Sequence, residues 1–128
     1  MRIVKVLIID DDPMTCNLVE TILRLESYQT ASVNLIGNEG IIPLLETEKP
    51  DIVILDYHLG PEETLKYVKG IRANKAWRRL PILMTSAIDR APDSLAAGAN
   101  DFILKPFNWR DMTQRVNKMR DDSIFQEA

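Results

Sequence analysis

The sequence has few of the features that mark secreted, membrane or nucleic-acid-binding proteins. Cys16 is the only cysteine among 128 residues, which excludes an intramolecular disulfide and fits a reducing compartment. The net charge of −3 gives no overall basic surface for nucleic acid. No apolar run approaches the roughly 20 residues of a membrane helix, and the apolar N-terminal stretch ends in aspartates instead of a small-residue cleavage site. We therefore expect a cytoplasmic protein that binds neither membranes nor nucleic acid directly.

The chain also lacks internal repeats, low-complexity tracts and Gly/Ser-rich linkers, and its length suits a single domain. Short apolar runs instead alternate with segments of helical periodicity. The runs predict buried strands at 3–9, 51–56, 81–86 and 101–105, with a weaker one at 29–33. Continuous apolar strands that alternate with helices indicate a doubly wound α/β fold, in which helices cover both faces of a five-stranded parallel sheet.

Five segments between and after these strands have the signals of helices. Asp12 can cap the first helix, and Pro13 suits its first turn. The others are predicted at 41–49, 64–72, 93–99 and from Asn108 onward, and 93–99 has room for only about two turns. The apolar residues expected on buried faces are Met14, Leu18, Val19, Ile22, Leu23 and Leu25 in the first helix, and Trp109, Met112, Val116 and Met119 in the last. The basic residues Arg72, Lys75, Arg78 and Arg79 are interpreted as a solvated face.

Polar residues collect at the ends of four predicted strands. They are Asp10, Asp11 and Asp12 after the first, Asp56 at the third, Thr85 and Ser86 at the fourth, and Lys105 at the fifth. In such sheets, ligands bind beyond the carboxyl ends of the strands. Carboxylates suit Mg²⁺ better than zinc, a lysine can hold phosphate, and a lone carboxylate such as Asp56 can be a nucleophile. Each match alone is weak, since an aspartate after a strand is often only a cap, as we predict for Asp12. The combination indicates phosphoryl transfer.

These motifs together resemble the two-component response regulator receiver domain. The matching stretches are VLIIDDD (6–12), KPDIVILDYHL (49–59), LPILMTSA (80–87) and GANDFILKPF (98–107), and the resemblance extends from Ile3 to about Met119. It implies a flavodoxin-like sheet of order 2-1-3-4-5. It also implies a domain, residues 1–120, that accepts a phosphoryl group from a sensor histidine kinase or a histidine phosphotransfer protein when Mg²⁺ is present. Residues 121–128 are then a C-terminal tail or the start of a linker.

The resemblance assigns a role to each carboxylate. Asp56 is the phosphoacceptor. Mg²⁺ is bound by Asp11, by Asp56 and by the backbone carbonyl of His58, while Asp10 acts through a metal-bound water. A domain of this family catalyses its own phosphorylation and dephosphorylation and is not otherwise an enzyme.

The resemblance also implies how the phosphoryl group is held and sensed. Ser86 hydrogen-bonds this group and is coupled to Phe102, the aromatic switch residue. Lys105 neutralises the remaining charge, and the bond between Lys105 and Pro106 is typically cis. His58 and Ile88 occupy two positions thought to tune the lifetime of the acyl phosphate, and we expect Ile88 to shield it from water.

The sequence departs from the usual family pattern in two places. Residues 59–64, LGPEET, put Thr64 where glycine is usual, so we expect another backbone shape in this loop. The stretch from Ala87 to Gly98 is about three residues shorter than usual, which shortens helix 4 by most of a turn. Helix 4 belongs to the surface through which many relatives dimerise. We therefore expect a monomer, or a weak phosphorylation-dependent dimer, that signals to an output domain or partner protein.

Two other functions remain open at this point. Asp10 and Asp12 also fit the Asp-x-Asp motif of a haloacid-dehalogenase-like phosphatase, although the chain is short for that family and lacks a suitable acidic pair after Lys105. The second is a receiver-like interaction module that is never phosphorylated, and the complete set of acidic and basic residues argues against it. A flavodoxin is rejected, because three aspartates in its first loop would repel the flavin phosphate.

Overall fold

A computed structural model describes residues 2–127 of the chain. The strands are β1 (Lys5–Ile9), β2 (Gln29–Val33), β3 (Ile52–Asp56), β4 (His58–Leu59), β5 (Glu62–Glu63), β6 (Ile82–Ser86) and β7 (Asp101–Leu104). The helices are α1 (Pro13–Leu25), α2 (Ile41–Glu48), α3 (Leu65–Ala73), α4 (Ala91–Ala97) and α5 (Trp109–Glu127). Over the part of the chain that the structure describes, no helix is both long and apolar enough to cross a membrane.

The main sheet has five parallel strands in the order β2-β1-β3-β6-β7. The two-residue strands β4 and β5 form a separate antiparallel pair. Without that pair, the order is 2-1-3-4-5, so the predicted doubly wound α/β sheet with five helices is confirmed. In such a sheet the carboxyl ends of β1, β3, β6 and β7 share one edge.

Two apolar clusters cover the two faces of the sheet. Along β1, Leu7 and Ile9 pack on the side of α2, α3 and α4, whereas Val6 and Ile8 pack on the side of α1 and α5. Successive side chains of a strand point to opposite faces, and here both faces are buried. This explains why the strands are continuous apolar runs instead of alternating ones.

Helix α1 begins as predicted, and its buried face matches the expected one only in part. The side chain of Asp12 accepts a hydrogen bond from the Met14 amide at 3.1 Å, and Pro13 is the first helical residue. The predicted core residues Met14, Leu18 and Leu25 are exposed. The predicted residues Val19 and Leu23 are buried, and α1 also buries Cys16 and Glu20. Their spacing of three and four also defines a helical face, and Glu20 is tolerated there because Arg24 and Thr30 donate hydrogen bonds to its carboxylate.

The last two helices also differ in detail from the prediction. Helix α4 is short, as expected, and spans Ala91–Ala97 because Pro92 fits its first turn and Gly98 (φ 118°) ends it. Helix α5 buries Met112, Val116 and Met119, but Trp109 is 52% exposed, so its predicted burial is wrong. Trp109 is the first residue of α5, and Arg110 lies over its ring. The helix continues to Glu127, past the predicted end of the domain at residue 120.

Candidate metal centre and reactive carboxylate

Three carboxylates converge at the carboxyl edge of the sheet. One oxygen from each of Asp10, Asp11 and Asp56 lies within 4.8 Å of the others. Asp10 follows β1 and is 3% exposed, Asp56 ends β3 and is 8% exposed, and Asp11 is exposed. The pairing of β1 with β3 brings the two buried groups side by side. The structure thus gathers the acidic residues that the sequence places at two separate strand ends.

Lys105 is the cation of this cluster. Its Nζ lies 2.7 Å from Asp10 Oδ2 and 3.2 Å from Asp56 Oδ2, and its side chain is 20% exposed. The residue follows β7, and the peptide bond to Pro106 is cis, as the resemblance implied. Within the described residues, this ammonium contacts two of the three carboxylates, so the cluster is incompletely neutralised by its own side chains.

The electrostatics of the cluster act on both charged partners. Burial, and after it the charge of Asp10, raise the pKa of Asp56 to about 6, against the lowering effect of Lys105. Burial alone would lower the pKa of Lys105, but the hydrogen bond to Asp10 and the charges of Asp56 and Asp10 raise it. The lysine therefore remains an ammonium, whereas ionisation of Asp56 is less favourable in this position than in water.

The donor set fits a divalent cation that prefers oxygen. Three carboxylates within 4.8 Å of one another supply hard oxygen ligands. A bound cation would offset the repulsion between these incompletely neutralised carboxylates. The described residues contribute no histidine or cysteine side chain to the group, so zinc is a poorer match. The amide of His58, the residue whose carbonyl was predicted as a ligand, donates a long hydrogen bond of 3.5 Å to Asp56 Oδ1.

Asp10 is held by contacts that involve both its side chain and its backbone. Its Oδ1 accepts a hydrogen bond from the Asp12 amide at 2.9 Å. Its carbonyl accepts bonds from Asn34 Nδ2 at 2.9 Å and from the Cys16 thiol at 3.4 Å. Burial, with the nearby charge of Asp10, raises the pKa of Cys16, which keeps it a thiol and a donor. Sequence analysis did not single out Asn34, because a side chain that bonds to a backbone carbonyl leaves no motif.

Ser86 and Phe102 lie on neighbouring strands beside the acidic cluster. Ser86 is 2% exposed, and its Oγ accepts the Ile88 amide at 3.2 Å while its carbonyl accepts the Lys105 amide at 2.8 Å. Phe102 is 8% exposed and pairs with Met84 across the strands. Both side chains are buried, on the α3 and α4 side in the case of Phe102. Among the described residues, no hydrogen bond joins the Ser86 hydroxyl to the three carboxylates of the cluster.

Thr64 makes a contact with the end of β3 that the sequence did not predict. It is fully buried, and its Oγ1 donates to the carbonyl of Asp56 at 2.7 Å and to that of Tyr57 at 3.1 Å. The only signal available in the sequence was the threonine itself, at a position where the resemblance led us to expect glycine.

Comparisons with known proteins agree with this arrangement. Residues 6–117 match the response regulator receiver domain family. The chain is 32% identical over 115 residues to the alkaline phosphatase synthesis transcriptional regulatory protein PhoP of Bacillus subtilis, which covers 88% of this chain and 46% of that protein. It is 30% identical over 115 residues to the DNA-binding response regulator MtrA of Mycolicibacterium smegmatis, with 88% and 48% covered. The chain thus spans about half the length of these curated relatives.

A solved structure shows the same fold at lower sequence identity. The crystal structure of a response regulator receiver domain protein from Methanospirillum hungatei matches with a TM-score of 0.85 at 23% identity, covering 98% of this chain and 99% of the other. Identity at this level supports the architecture alone. The match therefore agrees with the sheet order and the helix arrangement described above.

Proposed function

This chain belongs to the response regulator receiver domain family, and on that premise we propose that it accepts a phosphoryl group on Asp56 in an Mg²⁺-dependent reaction. The donor is the phosphohistidine of a sensor histidine kinase or of a histidine phosphotransfer protein. The observation that carries the proposal is the buried Asp56 carboxylate, which lies 3.2 Å from Lys105 and shares one acidic cluster with Asp10 and Asp11.

The residues of the cluster have two roles: some would bind Mg²⁺, and Lys105 supplies positive charge directly. Asp11, Asp56 and the His58 carbonyl would hold Mg²⁺, with Asp10 acting through a bound water. When bound, the ion supplies positive charge for the phosphoryl oxygens. Lys105 already reaches both buried carboxylates and supplies a second positive group. Phosphoryl transfer needs mainly positioning and charge neutralisation, and these residues provide both.

Asp56 acts as the nucleophile. A carboxylate oxygen forms a bond to phosphorus as the phosphorus–nitrogen bond of the donor breaks, and the imidazole leaves as a neutral ring with the proton on its other nitrogen. The attacking group must be ionised. With a pKa of about 6 in the metal-free protein, Asp56 is mostly a carboxylate at pH 7.5 and is a stronger base than an ordinary aspartate.

Phosphorylation of Asp56 would be sensed through Ser86 and Phe102. The Ser86 hydroxyl, which now accepts the Ile88 amide, can donate its hydrogen to a phosphoryl oxygen. A shift of Ser86 toward Asp56 frees space that Phe102 can occupy, and the surface near β7 changes shape. The group favours one of two existing states by interacting better with it. Phe102 has no hydroxyl, so its burial requires no polar partner.

The partners and location follow from the same proposal. We place the domain in the cytoplasm, as a phosphoacceptor that is not otherwise an enzyme, and as a monomer or weak phosphorylation-dependent dimer. The relatives named above are regulatory proteins about twice as long as the part they share with this chain. An output domain or a partner protein would therefore receive the signal.

The phosphatase alternative is not favoured by the position of Asp12. Its carboxylate accepts hydrogen bonds from the Met14 amide and from Thr15 Oγ1, at 3.1 and 2.8 Å, at the start of α1. Asp12 is therefore used as a helix cap and is not part of the acidic cluster formed by Asp10, Asp11 and Asp56. The Asp-x-Asp spacing of Asp10 and Asp12 therefore does not place both carboxylates in one site.

Incubation with acetyl phosphate and Mg²⁺, followed by intact-mass measurement, tests the proposal. We expect a gain of one phosphoryl group that is absent in Asp56→Asn and absent when Mg²⁺ is chelated. Asp12→Asn is the matched control, because it neutralises a neighbouring carboxylate that only caps α1, and it should still be modified. A phosphoryl group retained in Asp56→Asn, or repeated turnover of a generic phosphomonoester, would contradict the proposal.

A further inference from the structure

A short hairpin, formed by β4 and β5, connects β3 to α3. It pairs His58 with Glu63 and Leu59 with Glu62, and its turn contains Gly60. Gly60 has a φ of 60°, a conformation that glycine adopts without the clash a side chain would introduce. We call residues 57–64 the acceptor hairpin. It lies where the sequence departs from the usual family pattern, and the phosphoryl-transfer proposal assigns it no role beyond the His58 carbonyl.

The base of the acceptor hairpin is fastened to the backbone of the phosphoacceptor. Thr64 donates through Oγ1 to the carbonyls of Asp56 and Tyr57, at 2.7 and 3.1 Å, and through its amide to the carbonyl of Tyr57 at 2.9 Å. The Thr64 side chain is fully buried. Buried hydrogen bonds of this kind fix geometry, because losing the donor leaves carbonyls that water cannot readily satisfy. The end of β3 and the start of α3 are thereby tied together.

The tip of the acceptor hairpin contacts another carboxylate of the cluster. The amide of Gly60 donates to Asp11 Oδ2 at 2.7 Å. A hydrogen bond to an ionised acceptor is stronger than one between neutral groups. Asp11 is the exposed member of the acidic cluster, so this contact limits a side chain that solvent would otherwise leave free to rotate. One hairpin therefore holds the peptide of Asp56 at its base and the carboxylate of Asp11 at its tip.

Contacts on the outside of the acceptor hairpin keep it in place. The Glu62 carboxylate accepts hydrogen bonds from Lys66 Nζ at 2.9 Å and from the Tyr67 hydroxyl at 2.7 Å, both on α3. On the other side, the Arg90 guanidinium lies 5.5 Å from the centre of the Tyr57 ring, at the start of α4. The hairpin is thus supported by two helices and is not a free loop.

We propose that the acceptor hairpin sets the position of Asp11 relative to Asp56 for a divalent cation, with Thr64 as the positioning residue at its base. This inference rests on the proposed function, because it assumes that the acidic cluster binds Mg²⁺. Groups that hydrogen-bond to metal ligands commonly change metal affinity by about 10–100-fold when they are removed. Thr64 acts one step further away, through the hairpin, so its removal should have an effect at the lower end of that range.

The test is Mg²⁺ binding to the full, unphosphorylated chain by isothermal titration calorimetry. Thr64→Val keeps the shape and branching of the side chain but removes the hydroxyl, and we expect Mg²⁺ to bind about tenfold more weakly. Thr64→Ser restores the hydroxyl and should recover an affinity close to that of the unaltered chain. Thr113→Val is the matched control. Thr113 is also buried and donates to a backbone carbonyl at 2.8 Å, but it lies on α5, so its loss should leave Mg²⁺ affinity unchanged.

The amide proton of Gly60 gives a second readout that does not depend on Mg²⁺. In the metal-free protein we expect its NMR resonance at low field, moved to higher field in Asp11→Asn and displaced in the same direction in Thr64→Val. Equal Mg²⁺ affinity in Thr64→Val and Thr64→Ser would overturn the inference, as would an unmoved Gly60 resonance in Thr64→Val. Absence of Mg²⁺ binding by the unaltered chain would instead overturn the proposed function, so the two failures are distinguishable.

Discussion

Two charged groups at opposite edges of the main sheet are balanced in different ways. At the carboxyl edge, Asp10, Asp11 and Asp56 form one acidic cluster, and the Lys105 ammonium contacts Asp10 and Asp56. At the amino edge of β6 and β7, the guanidinium of Arg72 donates to the carbonyls of Gly98, Arg78 and Leu80 and to Asn100 Oδ1, at 2.7–3.0 Å. The acidic cluster leaves like charges facing each other, whereas Arg72 is surrounded by neutral acceptors.

The comparison distinguishes the proposed cation site from a contact that stabilises the fold. Neutral oxygens around Arg72 accept hydrogen bonds from its donors, so the Arg72 guanidinium itself does not require a counter-ion. The Arg72 side chain also packs closely against Gly98, where an added Cβ would lie only 2.8 Å from Arg72 Cγ. Our interpretation of Arg72 as part of a solvated basic face is therefore wrong. At the carboxyl edge, the excess negative charge supports the cation site proposed above.

Removing the charge at the amino edge should have the largest effect on stability. We expect Arg72→Met to lower the free energy of unfolding by about 2–4 kcal/mol, because several partly buried carbonyls lose their donor. Urea denaturation followed by circular dichroism measures the change. Arg79→Met, at an exposed neighbouring arginine, should stay within about 0.5 kcal/mol of the unaltered chain. We expect Arg72→Met to leave Mg²⁺ binding unchanged, and a strong loss of Mg²⁺ affinity would contradict a purely structural role for Arg72.

Removing the ammonium at the carboxyl edge should cost less and should respond to Mg²⁺. We expect Lys105→Met to lower stability by about 1–3 kcal/mol without Mg²⁺, since the buried Asp10 and Asp56 lose their shared partner. Saturating Mg²⁺ should restore more stability to Lys105→Met than to the unaltered chain, because the ion then offsets more uncompensated charge. The measurement is the melting temperature with and without Mg²⁺. An equal gain in both proteins would argue that Lys105 and the cation act on different groups.

A smaller effect is expected at the rim of the carboxyl edge. Ile88 is 57% exposed, and its amide donates to Ser86 Oγ at 3.2 Å. If its side chain limits the access of water to the acyl phosphate, Ile88→Glu should increase the rate of autodephosphorylation severalfold. Loss of the phosphoryl group after rapid removal of the donor gives the rate, and Ile88→Leu is the apolar control. A rate in Ile88→Glu that is unchanged or lower would contradict this role.

Much of the sheet and the cluster could be predicted because both depend on strong sequence patterns. Strands such as β3 are buried on both faces, which produces an unbroken apolar run. Asp12 and Pro13 mark the start of α1 in side-chain chemistry alone. Once the strands are parallel, their carboxyl ends share an edge, so Asp10, Asp56 and Lys105 had to lie near one another. Their roles in catalysis remain predictions.

Other features could not be predicted because the sequence does not record them. Apolar periodicity allowed two overlapping faces for α1, and only packing against the sheet exposed Met14 and buried Cys16. The contacts of Arg72, Asn34 and Thr64 all include backbone carbonyls, which every residue possesses. A side chain that bonds to the backbone therefore has no complementary partner type that a sequence pattern could reveal.

The measurement that tests the account most directly is the stability of Asp56→Asn against pH and Mg²⁺. The folded protein raises the pKa of Asp56 from 3.8 to about 6, so ionised Asp56 destabilises the metal-free fold above pH 6, and this penalty fades as the pH falls from about 6 toward 4. Without Mg²⁺ at pH 7.5, Asp56→Asn should be more stable than the unaltered chain by on the order of 1 kcal/mol, with the difference shrinking below pH 6. Saturating Mg²⁺ should stabilise the unaltered chain more and so close or reverse the gap. A metal-free Asp56→Asn that is less stable at pH 7.5, with no differential response to Mg²⁺, would contradict the account.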